Sequence, residues 1–142
     1  MGCGVWGVGC GVEGKRMGEQ ESVDVVALRA FVPATDFEKS LAFYVDIGFT
    51  AERLGDSLAA MKLGGLGFLL QEFYAEGFAG NFMLQLKVND LDGWWKRIEG
   101  LDLAGRYGVR KPTAPAMQPW GLTIAYVVDP SGVLWHIAQN RG

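Results

Sequence analysis

Only one histidine, His136, occurs in the 142 residues, and cysteine is confined to Cys3 and Cys10. A chain so poor in imidazole and thiolate has few ways to build a zinc or iron site, because those metals draw mainly on His, Cys and carboxylate donors. With both cysteines in the first ten residues, the rest of the chain forms no disulfide, which fits a reducing, cytoplasmic setting. No apolar run reaches the roughly 18 residues of a membrane-spanning helix, so no membrane partner is expected. Positive charge is not in excess either: the net charge is -3. Without a basic stripe to neutralise phosphates, a nucleic-acid partner is not expected. No Ser or Cys beyond the first two dozen residues has a visible base beside it, which leaves a nucleophilic triad without support.

What is present suits one globular domain. Hydrophobic residues make up 49% and charged residues 20%, enough apolar material for a full core at this length. Residues 1–22, "MGCGVWGVGCGVEGKRMGEQES", are crowded with glycine, lack periodicity and read as a flexible leader, with Met17 a candidate start. Gly2, Gly4 and Gly7 fit G-x-G-x-x-G, and Gly9 to Lys15 fit G-x-x-x-x-G-K. A dinucleotide turn needs a strand before it and a helix after it. A phosphate loop needs Ser or Thr after its lysine, and this chain has Arg16 there. Neither motif therefore makes a nucleotide site.

Residues 23–142 read as a single domain of two similar halves, about 23–77 and 80–140. The first opens on "VDVVALRAFV", a strand that Pro33 ends. In "TDFEKSLAFYVDIGF", Thr35 and Glu38 form a capping box, Phe37, Leu41, Tyr44 and Val45 make a helical stripe, and Gly48 ends the helix. Three strand-like pieces follow: "FTAERLG", "SLAAMKLG" and "GFLLQEF". The second half repeats the order with "NFMLQLKV", a helix capped by Asp90 with Leu91, Trp94, Trp95 and Ile98 on its core face, and "RYGVRKP", "WGLTIAYVVDP" and "GVLWHIA". Lys111 to Pro119 reads as a Pro-rich loop. Strand, helix and three strands, repeated at about 56 residues, predict an α+β fold of two βαβββ modules that bury their sheets together.

These elements carry a resemblance. "DFEKSLAFYVDIGF", "VNDLDGWW", "PWG" and "DPSGVLWHIAQN", in this order, resemble the vicinal oxygen chelate superfamily of glyoxalases, bleomycin resistance proteins and dioxygenases, and most of all its bleomycin-resistance branch. The similarity runs from about Ala27 to Asn140. It implies a cup-shaped mixed sheet with helices outside, and a homodimer whose grooves straddle two subunits. In catalytic members a divalent metal sits in the cup, held by His, Glu or Gln from the first and last strands of each module. Here those positions fall on Arg29, Gln71, Met83 and His136. A guanidinium cannot coordinate and a cation beside it is repelled, so no metal and no cofactor are expected.

Strand alternation then gives the lining: Phe31 beside Arg29, Leu69 and Phe73 beside Gln71, Gln85 beside Met83, Leu134 and Ala138 beside His136. Val133, Trp135 and Ile137 fall on the opposite, helix-covered face. Trp120 matches an aromatic that stacks on ligand in bleomycin resistance proteins. Arg29, Phe31, Gln71, Met83, Gln85, Trp120 and His136 are thus the candidate ligand contacts, walls suited to an aromatic or antibiotic-like molecule. Plainer readings stand beside these: Trp120 capping the core, the glutamines facing water, and Arg29 paired with Glu52 or Glu72. Two other functions remain open: a metal-dependent glyoxalase or dioxygenase, and metal-independent acid–base catalysis by His136 with Arg29 stabilising an enolate or carboxylate.

Overall fold

The computed structural model describes Gly18, residues 24–73 and residues 79–141; the expected leader, with Cys3, Cys10 and Met17, lies outside the described residues. Element order follows the expected repeat. The first module is β1 (Phe31–Ala34), α1 (Phe37–Ile47), β2 (Thr50–Gly55), β3 (Leu58–Leu63) and β4 (Leu66–Glu72). The second is β5 (Met83–Val88), α2 (Leu91–Glu99), a short α3 (Leu103–Tyr107), β6 (Thr113–Met117), β7 (Thr123–Val128) and β8 (Leu134–Gln139). Each module is a four-stranded mixed sheet, ordered β1-β4-β3-β2 and β5-β8-β7-β6, with its first and last strands parallel.

Several local expectations shift. The first strand begins only at Phe31 and runs through Pro33 to Ala34, while residues 24–30 are exposed and belong to no strand. Pro33 is tolerated because β1 is an edge strand, paired on one side to β4. Asp36, not Thr35, caps α1, its carboxylate accepting from the Lys39 N–H at 3.2 Å. The buried face of α1 is Phe37, Ser40, Phe43, Tyr44 and Ile47, and Val45 is exposed. Gly48 does end the helix, at φ 137°, a conformation that side chains other than glycine rarely adopt. Asp90 caps α2 as expected. The stretch read as a loop contains β6, and "RYGVRKP" holds the end of α3 instead of a strand.

The two sheets meet through their helix-covered faces. Phe68 of β4 and Trp135 of β8 lie 5.6 Å apart at ring centroids, with Tyr44 of α1 packed on both at 5.0 and 5.7 Å. Edge-to-edge joining through β1 and β5 would leave β4 and β8 three strand spacings apart, about 14 Å. The observed contact excludes that arrangement within one chain. Two gaps remain at this seam: one of about 10 Å³ lined by Tyr44, Phe49, Leu86, Trp94 and Trp135 among others, and one of about 150 Å³ lined by Phe49, Phe68, Leu84, Gln85 and Trp135 among others.

A buried polar knot fastens the seam. The Tyr44 hydroxyl donates to Asp129 Oδ2 at 2.5 Å and accepts from Trp135 Nε1 at 3.0 Å. Asp129 Oδ1 accepts the Ser131 and Val133 N–H groups, both at 2.8 Å. Ser131 Oγ in turn accepts the Thr35 N–H at 2.9 Å. Burial pushes the Asp129 carboxyl above its usual range, against the pull of these donors. Burial, then the neighbouring Asp129, holds the Tyr44 hydroxyl well above the usual tyrosine value. The Asp-Pro-Ser-Gly motif is thus the joint between the modules.

Candidate ligand-binding site

Because Phe68 and Trp135 point into the shared core, their strand neighbours Leu69 and His136 point away from it, out of opposite sides of the chain. Each module therefore presents its own outer face. On the first, Phe31 pairs with Leu69 and Leu69 with Ala60 in one cross-strand row, and Pro33, Gln71 and Leu58 form the next. Arg29 precedes this face and is exposed. Its suggested partner Glu52 is taken instead by Lys62, at 3.0 Å.

On the second face, one row runs Gln85, His136, Tyr126, Thr113 across four strands. The Tyr126 and His136 rings meet edge to face at 4.9 Å. Met83, Leu134 and Val128 form the row on one side, and Lys87, Ala138, Ile124 and Ala116 the row on the other. Trp120 stands in the turn between β6 and β7, whose ends are tied by Gln118 N–H to Leu122 O at 2.8 Å and Gly121 N–H to Gln118 O at 2.9 Å. Trp120 is 60% exposed and so does not cap the core. Val133, Trp135 and Ile137 are buried on the other face, as the alternation predicts.

The sequence-predicted contacts thus fall into two groups: Phe31 and Gln71, with Arg29 before them, on one face, and Met83, Gln85, His136 and Trp120 on the other. Within one chain Gln85 lines a cavity with Ala30, Leu66 and Gly67 of the first module, while the other contacts of the two groups leave from different faces. Tyr126, Thr113 and Lys87 belong to the second group and were not among the expected contacts. Lys87 was legible as the next inward residue after Gln85, whereas Tyr126 and Thr113 required the β6–β7–β8 register. At the four ligand positions of the metal-binding relatives this chain offers a guanidinium, an amide, a thioether and one imidazole. That donor set does not fit a divalent cation. Among the described residues no three His, Cys, Asp or Glu side chains gather.

A family model described as the Glyoxalase/Bleomycin resistance protein/Dioxygenase superfamily matches residues 23–137. The chain belongs to this superfamily. A bleomycin resistance protein of Klebsiella pneumoniae is 30% identical to it over 119 residues, 78% of this chain and 89% of that protein. A bleomycin-binding protein solved in complex with bleomycin superposes with a TM-score of 0.71 at 25% identity, over 82% of this chain and all of that one (100%). A lactoylglutathione lyase from Agrobacterium tumefaciens shares the fold, with a TM-score of 0.62 at 21% identity over 84% of this chain and 96% of the lyase. No helix among the described residues is long and apolar enough to cross a membrane.

Proposed function

We propose that this chain binds an aromatic or antibiotic-like small molecule, without metal and without transforming it, in cups that a homodimer completes. The observation that carries the reading is the Phe68–Trp135 contact at 5.6 Å, which turns the two half-sites to opposite sides of one chain. A second copy related by a two-fold axis sets the first module's face of one subunit against the second module's face of the other, and closes two equivalent cups. Exposed apolar side chains favour such closure: Phe31 is 52%, Met83 62% and Trp120 60% exposed. Residues 24–30 support it too: Val26 and Leu28 are each 95% exposed in a segment that forms no strand and is joined to β4 at its end, where the Leu69 N–H donates to the Ala30 carbonyl at 2.9 Å.

The bleomycin resistance protein of Klebsiella pneumoniae and the solved bleomycin complex support sequestration as the use of the cup. Within it Arg29, Phe31 and Gln71 supply one wall, and Met83, Gln85, Trp120 and His136 the other. Trp120 stacks on a ring while the amides and the imidazole orient it by hydrogen bonds. We place this activity in the cytoplasm, in keeping with the cysteine usage. The test is calorimetric titration of bleomycin into the full chain, beside light scattering of the free protein. One ligand bound per subunit of a dimer is expected; a monomer that binds nothing would overturn the proposal.

A further inference from the structure

Charge is unevenly spread over the second half-site. Lys87 is the only charged residue in its three cross-strand rows; the others are Met83, Gln85, Leu134, His136, Ala138, Ile124, Tyr126, Val128, Thr113 and Ala116. Lys87 lies toward the C-terminal end of β5, and the β6–β7 turn bearing Trp120 lies at this same end of the sheet. Two strand spacings, about 10 Å, separate the β5 and β7 positions of the Lys87 row. Just past the end of β8, Arg141 donates from Nη1 to the Gly121 carbonyl at 2.5 Å, fixing a guanidinium at the residue next to Trp120. The carboxylate closest along the chain, Asp90, is turned away to cap α2, accepting the Gly93 N–H at 3.0 Å. Neither Lys87 nor Arg141 has an ion-pair partner among the described residues.

We infer that this end of the cup takes an organic anion: an aromatic ring stacked on Trp120, with a carboxylate, sulfonate or phosphate held between Lys87 and Arg141. A planar ring carrying an acidic group spans the interval, and a guanidinium held by one carbonyl keeps other N–H groups for an anion. On the first half-site Glu52 is already paired with Lys62, and Arg29 is itself a cation. An aromatic cation gains from stacking here but meets like charge, so the inference gives the ligand's class within the binding function proposed above and rests on it.

A matched pair of probes tests it. 2-Naphthoate and 2-naphthylmethylammonium share a ring and differ in charge. Binding of each to the full chain at low ionic strength is read by calorimetry and by quenching of tryptophan fluorescence, with Trp120→Phe identifying the signal from this end. Naphthoate is expected to bind at least about tenfold more tightly, and the exposed-site variant Lys87→Glu to cancel or reverse that preference while unfolding at the wild-type temperature. Equal affinities, or tighter binding of the ammonium, would overturn the anion assignment and leave the binding function standing. Binding of bleomycin but of neither probe would do the same. If neither the probes nor bleomycin bind, both readings fall.

Discussion

Tyr44→Phe removes one oxygen from the joint between the modules and leaves the ring contacts of Tyr44 with Phe68, Phe49 and Trp135 available to phenylalanine. Two hydrogen bonds go with it, one to the Asp129 carboxylate and one from the Trp135 indole. The indole N–H is then a buried donor with no acceptor, which costs about 1–3 kcal/mol. Asp129 loses one donor but keeps the Ser131 and Val133 N–H groups. The losses share one network and do not add fully, so about 2–4 kcal/mol is expected overall. At about 4 °C per kcal/mol for a domain of this size, the melting temperature falls by about 8–16 °C.

The pH dependence of that deficit has a definite sign. Burial already raises the native Asp129 carboxyl, and the Tyr44 hydrogen bond holds it down. A raised carboxyl contributes stability that is full below the unfolded value of about 4 and is lost as pH rises through the native value. Removing the hydroxyl raises the native value further. The variant's deficit should therefore grow between about pH 4 and neutrality. Urea unfolding followed by circular dichroism at both pH values measures it. A deficit under about 0.5 kcal/mol at pH 7, or one that grows on acidification, would refute this account of the joint.

Three further outcomes are expected. Trp120→Ala should weaken ligand binding by about 1–3 kcal/mol, read by calorimetry, without moving the melting temperature, since the side chain is mostly solvent-facing. Desolvation, then the hydrogen bond and charge of Asp46, pushes the Tyr107 hydroxyl up to about 12. Its stabilising contribution is whole below an unfolded value of about 10 and is lost as pH climbs through 12. Urea midpoints of Tyr107→Phe should accordingly fall less steeply over that window than those of the wild type. Elemental analysis of purified protein should find under about half an equivalent of nickel, zinc, iron or manganese, unchanged by His136→Ala.

The repeat and nearly every strand were legible because alternation and helical spacing are local signals. Trp135 and His136 fell on the faces their alternation assigned. β6 was missed because Pro115 within Thr113–Met117, with Pro112 and Pro119 beside it, reads as loop, and an edge strand tolerates what a central one does not. The cap moved from Thr35 to Asp36 because Thr35 Oγ1 turns to Ser131 Oγ, 96 residues away, at 3.3 Å, rather than to an N–H of the first turn. The direction of each half-site was beyond sequence reading for the same reason. Phe68 and Trp135 look like any inward apolar residues, and only their mutual contact turns the faces apart.

The central claim is that a cup joins the first face of one subunit to the second face of another, and mixing two damaged homodimers tests it most directly. Phe31→Glu lesions the first face and Trp120→Glu the second, so each variant alone should fail to bind bleomycin. After the two are unfolded together and refolded, half of the dimers are mixed, and each mixed dimer has one cup with both lesions and one with none. The account predicts that binding returns at about a quarter of all cups, with wild-type affinity. If the cup lay within one chain, every cup would retain a lesion, and a mixture that binds nothing would contradict it.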